Sequence, residues 1–232
     1  MTDDVWNELA VLREFGFTHL DLGGAGSGVR GGGVAHSEAP SPLTPNPAPP
    51  LNEFDDLRTR ALSCTQCRLS KTRTNVVFGV GDPNADLMFI GEAPGRDEDI
   101  QGEPFVGRAG QLLTDIIKAM KLTRDRVYIA NVIKCRPPEN RNPEPDELDS
   151  CRPYIRRQVE LIQPKVIVTL GRFALQSLLE KAYGITSVRG QWLDYNGVKV
   201  MPTYHPAYLL RNPAAKKEVW ADMKKVMAEL GI

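Results

Sequence analysis

The sequence predicts an α/β fold, a three-layer αβα sandwich around a central four-stranded parallel sheet. Four short apolar, partly β-branched runs predict the strands, at residues 87–90, 127–133, 166–170 and 198–201. Between them the apolar spacing becomes helical, at 109–120, 145–161 and 172–179, with a last helical pattern at 215–230. Apolar strands alternating with amphipathic helices indicate parallel strands covered on both faces.

Taken in order, the chain opens with Val5, Trp6, Leu9, Ala10 and Leu12 at helical spacing, which predicts one short amphipathic helix over 3–14 within an extension of residues 1–22. Such a helix either docks a partner protein, whose identity the residues do not indicate, or frays, since a single short helix is marginal alone. Residues 23–51 are mostly Gly, Ser, Ala and Pro and cannot bury apolar area, so they are expected to be a disordered linker. The folded body is expected over 52–232. It begins with a helix over 55–67 that carries Cys64 and Cys67. Near 192–198, Tyr195-Asn196-Gly197 supplies a hairpin turn.

The length suits one sizeable domain with an extension. The 29 basic and 29 acidic residues cancel overall but are unevenly placed. Residues 1–56 hold 2 basic and 9 acidic side chains, so the remainder is net positive by the same margin. A positive body is compatible with polyanion binding. No apolar run reaches membrane-spanning length, and the N-terminus lacks the pattern of a secretory signal, so a cytoplasmic protein is expected. In that setting four cysteines point to metal or catalysis more readily than to disulfides.

The first motif is Gly91-Glu92-Ala93-Pro94-Gly95, a Gly/Pro turn directly after an apolar strand, where open α/β sheets place ligands. It lacks a P-loop lysine and a full Gly-x-Gly-x-x-Gly, which argues against a nucleotide-binding enzyme. Cys64 and Cys67 form a Cys-x2-Cys pair, Cys135 follows the second strand, and Cys151 lies in the next helix. Four thiolates suit a tetrahedral zinc or a [4Fe-4S] cluster, and the spacing alone does not choose between them. Asn131 closes the second strand. Its amide either matches a nucleobase edge or caps the turn. The loop 135–143 is basic and proline-stiffened, suited to spanning a gap or presenting arginines to phosphate. His205 follows the fourth strand on the face shared with Glu92 and Asn131, and is structural or a switchable donor. Leu209, Leu210 and Arg211 read as an apolar tip beside a cation, as used to wedge DNA. Phe105 can return over the same pocket to stack on a base, or pack in the core.

Together these stretches resemble the uracil-DNA glycosylase superfamily, most closely its family 4 iron–sulfur members. The likeness spans residues 55–230 and rests on the Gly91–Gly95 turn, Pro104-Phe105-Val106-Gly107-Arg108-Ala109-Gly110, Asn131-Val132-Ile133-Lys134-Cys135-Arg136-Pro137-Pro138, and the stretch from His205 to Pro213. The four cysteines match the family's cluster spacing, and the resemblance selects [4Fe-4S] over zinc. It implies a monomeric enzyme that flips deoxyuridine out of single- or double-stranded DNA and hydrolyses the N-glycosidic bond, leaving an abasic site.

By position, the resemblance implies that Phe105 stacks on uracil, Asn131 reads its Watson–Crick edge and His205 donates to the leaving base. Leu209 would form the wedge, with Arg211 on phosphate and Glu92 and Ala93 at the pocket floor. Other branches carry an aspartate where Ala93 stands, so Glu92, then Asn140, become candidates for positioning water. Gly95 stands where another branch has a thymine-excluding tyrosine, and Glu98 is a candidate to fill that space. A branch that binds uracil covalently has a histidine in the loop after the second strand. Here Pro138-Glu139-Asn140-Arg141-Asn142 has none, so ordinary turnover is expected. The alternative is a non-catalytic nucleic-acid-binding module with a structural metal site, which leaves the co-occurrence of Glu92, Phe105, Asn131 and His205 unexplained.

Overall fold

The computed structural model describes residues 51–232. The expected head helix at 3–14 and the linker, apart from its last position, lie outside the described residues. The helices are α1 (Leu51–Leu62), α2 (Arg96–Gln101), α3 (Arg108–Ala119), α4 (Pro145–Ile162), α5 (Arg172–Leu179), α6 (Ile185–Val188), α7 (Pro206–Arg211) and α8 (Lys216–Leu230). The strands are β1 (Val80–Gly81), β2 (Leu87–Gly91), β3 (Tyr128–Asn131), β4 (Val166–Leu170), β5 (Leu193–Tyr195) and β6 (Val198–Thr203).

They form one sheet of order β1-β3-β2-β4-β6-β5. The α/β class is as expected, but the sheet has six strands and not four. The four central strands are parallel, and β1 and β5 add antiparallel edges. β1 is two residues long, too short for any apolar period to announce it. β5 is the arm of the expected hairpin, turning through Asn196 and Gly197 at φ 51° and 85°.

Strand order decides the layers. β3 lies on one side of β2 and β4 on the other, so right-handed crossovers place α3 and α4 on opposite faces. α5 steps in the same direction as α4 and shares its face. There Phe54 and Leu57 of α1, Ile155 and Val159 of α4, and Leu175 of α5 pack on Met88, Ile90, Tyr128, Ala130 and Ile167. The alternate strand residues Leu87, Phe89, Ile129 and Val168 are equally buried and face the other layer. Burial on both faces is why these strands read as continuous apolar runs.

The cysteine pair does not lie on a helix, contrary to expectation. The inward stripe of α1 ends at Ala61, and beyond it no apolar residue holds a further turn against the core. The Cys64 N–H folds back onto Ala61 O (3.2 Å). Cys67 then precedes a 3-10 turn at Arg68–Lys71. Among the described residues no helix is long and apolar enough to cross a membrane.

Candidate active site

The chain reverses its direction of winding at β2, which makes the carboxyl ends of the strands there a natural crevice. Glu92 follows β2, Asn131 is the last residue of β3, and His205 lies just past β6. These three line one cleft of about 550 Å³ with Ala93, Gly95, Glu98, Phe105, Asn140 and Arg211.

Gly91 and Asn131 are paired across the β2–β3 ladder. A methyl group on Gly91 would stand 2.3 Å from Asn131 Oδ1 and 2.5 Å from Phe105 Cζ, so the bare Cα lets both side chains converge. Asn131 is buried, and its Oδ1 has no hydrogen-bond partner among the described residues. A buried acceptor without a donor costs about 1–3 kcal/mol, a penalty that a ligand N–H would relieve.

His205 caps α7, and its Nδ1 accepts the Ala207 N–H (3.1 Å). A backbone N–H can only donate, so the neutral ring carries its proton on Nε2. Burial, and next the Arg211 guanidinium, push the imidazole down to about 4 against the opposing pull of Glu98. The ring is therefore neutral at pH 7. The Phe105 ring lies 5.7 Å from it, centroid to centroid, tilted by 33°.

Burial drives the Glu92 carboxyl up to about 7, with Arg172 drawing it the other way. Ala93 brings no carboxylate and packs toward the cysteine lobe, against the cluster of Leu69, Val76, Ile133, Cys135 and Cys151. Glu98 accepts from the backbone N–H of Gly95 (3.1 Å), Val106 and Gly107 (3.0 Å each). A Cβ on Gly95 would meet Glu98 Oε2 at 2.8 Å, so the carboxylate occupies the space a side chain there would enter. Asn140 is exposed on the cleft rim, its Oδ1 accepting from Arg136 Nε (2.7 Å).

One assignment is overturned. Leu209, expected at the wedge, is fully buried, whereas Leu210 and Tyr208 are exposed. In α7, Pro206 and Leu209 are three residues apart and share the inward face, leaving Tyr208 and Leu210 outside. Helical parity from Pro206 onward carried that signal. Half-buried Arg124 and fully buried Glu147, which hold the cleft loops, carried none, because the inward turn of a charged side chain is set by tertiary packing.

All four cysteines line a second, small cavity. Arg73 Nη1 donates to Cys135 Sγ (3.2 Å) and the Lys134 N–H to Cys151 Sγ (3.3 Å). Among the described residues no group of three or more His, Cys, Asp or Glu side chains is arranged to hold a single metal ion.

Residues 78–224 match the sequence profile of the Uracil DNA glycosylase superfamily. The chain belongs to this superfamily. It is similar to type-4 uracil-DNA glycosylases from Archaeoglobus fulgidus (46% identical, over 76% of this chain and 92% of that protein) and Sulfurisphaera tokodaii (46%, 76% and 84%). The type-4 enzyme of Thermotoga maritima is 50% identical over 72% of this chain and 88% of its own. Each match spans most of the relative, and the identity to these type-4 enzymes exceeds that to type-5 uracil-DNA glycosylases of Pyrobaculum aerophilum (30%) and Thermus thermophilus (35%).

Proposed function

We propose that this superfamily member is a monofunctional uracil-DNA glycosylase acting, as a monomer, on uracil in single- and double-stranded DNA, with residues 52–232 as the catalytic domain. The observation that carries the reading is Asn131 Oδ1, buried and without a partner among the described residues, in one cleft with a neutral histidine whose Nδ1 already accepts, leaving Nε2–H as its donor. Uracil presents N3–H beside O4 on one edge and O2 on the other side of N3. Asn131 accepts from N3–H and donates its amide N–H to O4, which cytosine, with an unprotonated N3 and an amino group at C4, cannot match. Phe105 stacks on the flipped base.

The reaction breaks the C1′–N1 bond, leaving the electron pair on the base. His205 Nε2–H donates to O2 of the departing uracil anion. A neutral imidazole stabilises that charge by hydrogen bonding without transferring its proton. Water adds to C1′, and the proton it loses passes through solvent to the uracil anion, which leaves as neutral uracil. Glu92, the ionisable cleft residue nearest neutrality, orients that water as carboxylate and faces the positive sugar. Asn140 on the rim is the second polar group available to the water. The carboxylate of Glu98, filling the space beside Gly95, narrows the site against the methyl group of thymine. Leu210, with Tyr208, replaces the extruded base in the stack, and Arg211 meets phosphate.

The four thiols fit a [4Fe-4S] cluster: they surround one cavity, and Arg73 and the Lys134 N–H already donate to two of the sulfurs, as an anionic cluster requires. Cys64, Cys67, Cys135 and Cys151 would hold it. Bound by four protein thiolates it supplies cross-linking of the fold, and the chemistry of base release stays with the cleft residues. The test is base release from a uracil oligonucleotide, read as alkali-labile sites. Asn131→Ala should lower kcat/KM about 10²-fold or more, since two hydrogen bonds are lost. Binding of DNA without base release would favour the non-catalytic module.

A further inference from the structure

Phe105 has the least ordinary backbone in the cleft. Its φ is +55°, a left-handed conformation that a bulky residue keeps only when its surroundings over-determine it. Three restraints do so. A Cβ on Gly110 would come within 2.0 Å of the Phe105 carbonyl, so that carbonyl rests on bare helix backbone. Glu98 accepts from the next two backbone N–H groups, those of Val106 and Gly107. Arg124 holds the other side. Its Nη2 donates to Pro104 O (2.8 Å), and its Nη1 to Phe105 O (3.2 Å) and Thr114 Oγ1 (3.3 Å).

Arg124 opens the 3-10 turn Arg124–Arg126 that leads into β3, and it does not line the cleft. Its planar fork bridges two successive carbonyls, and the direction of those carbonyls fixes the peptide planes on either side of the Phe105 Cα. A carboxylate on one side and a guanidinium on the other thus clamp residues 104–107 between α2 and α3.

We propose that Arg124 is a positioning residue for base stacking: by binding the Pro104 and Phe105 carbonyls it holds Phe105 in the left-handed conformation that turns its ring onto the base pocket. This rests on Phe105 stacking against the flipped base, as in the function proposed above. Arg124 touches no substrate atom, so its effect must travel through Phe105 and vanish when that ring is absent.

The experiment is a double-mutant cycle in the full-length protein purified with its cofactor, comparing Arg124→Met, Phe105→Ala and the double variant. Each is assayed for kcat/KM on a uracil-containing single strand and for thermal melting. Arg124→Met should lose about tenfold or more, the usual weight of hydrogen bonds from a charged donor. Arg124→Lys should recover part of that loss. In the Phe105→Ala background the same change should matter less than about twofold, the mark of residues acting as one unit. Losses that multiply in the double variant would overturn the proposal and leave Arg124 as a brace between α3 and β3. Wild-type activity in Arg124→Met would overturn it as well. Should Arg124→Met fail to fold, Arg124→Lys completes the cycle with the same criteria. If the wild type released no uracil, the functional reading would itself fall. If wild type and Phe105→Ala differ as expected but Arg124 does not couple, only the role of Arg124 falls.

Discussion

Gly91→Ala separates recognition from folding more cleanly than removal of any cleft side chain. The added methyl would sit 2.3 Å from Asn131 Oδ1 and 2.5 Å from Phe105 Cζ. Relaxed contacts between such atoms need roughly 3.3–3.8 Å, so each tip must retreat by about 1 Å. Both are the far ends of side chains, and the backbone itself is not obstructed. The fold should therefore yield at a cost of about 1–2 kcal/mol, a loss of roughly 3–6 °C in Tm for a domain of this size. Activity should suffer far more. A 1 Å misplacement of groups that orient a reacting substrate costs about 10²-fold, and here two such groups move together. The assay is single-turnover base release at a temperature well below the melting point of the variant, with Tm followed by circular dichroism. Rates within threefold of wild type in a folded variant would refute the convergence of Asn131 and Phe105 on one base.

Protonation of Glu92 gives a second expectation. With its carboxyl near 7, kcat/KM should rise about tenfold per pH unit below 7 and level off above, and Glu92→Gln should be slow with this limb absent. Stability has the opposite slope. The folded state holds that proton more tightly than the unfolded chain, so stability declines as pH rises from the ordinary value of 4.5 through 7. Glu92→Gln should accordingly raise Tm at pH 8 and leave it nearly unchanged at pH 4, which melting curves at the two pH values will check. Leu209→Ala should destabilise by about 2–5 kcal/mol, as a buried leucine does, whereas Leu210→Ala should keep Tm and lose activity on duplex more than on single-stranded substrate. If the proposed cluster is bound, Cys135→Ser should lose its broad visible absorbance and lower Tm, while Asn131→Ala keeps both. Wild-type absorbance in Cys135→Ser would remove that thiol from the ligand set.

Much of the fold was legible because β2, β3 and β4 are buried on both faces and so read as apolar runs, and β6 is buried over its last four residues. The Asn196–Gly197 turn likewise announced the β5–β6 hairpin. β1 stayed hidden because its two residues pair through backbone alone. The end of α1 was misplaced because the helical reading was carried on through the Cys-x2-Cys pair, whereas the inward stripe ends at Ala61 and the weak helix formers Ser63, Cys64 and Thr65 follow. In the site, Glu92, Asn131 and His205 could be placed together because each ends or follows a parallel strand, and parallel strands present their ends on one edge. Leu209 was placed at the wedge by the family resemblance, position by position, without the rotation of a six-residue helix. What the sequence could not disclose were the buried charged side chains, Asp99, Lys134, Glu147 and Asp222. Their residue types predict solvent, and only the packing explains their burial.

Glu147 shows why those inward charges matter to the site. It is fully buried at the start of α4, the helix that carries Cys151 one turn later. Its carboxylate accepts from both Arg141 terminal nitrogens (2.9 and 2.6 Å) and from the Glu144 N–H (2.9 Å), and Arg68 Nε lies 3.1 Å from Oε1. Arg141 belongs to the rim loop beside Asn140, and Arg68 directly follows Cys67. One buried carboxylate therefore joins the cleft rim, the first cysteine pair and the helix of the fourth cysteine. A charge so placed is tolerable only while both guanidiniums reach it, since an unpaired buried carboxylate costs several kcal/mol. Arg68 opens the 3-10 turn after Cys67, and one four-residue turn is too short to hold it in place by itself. Fixing those thiols to Cys135 and Cys151 would do so, and the same linkage would set the rim that closes over the base. In that arrangement the cysteine lobe would shape the cleft through packing and charge pairing.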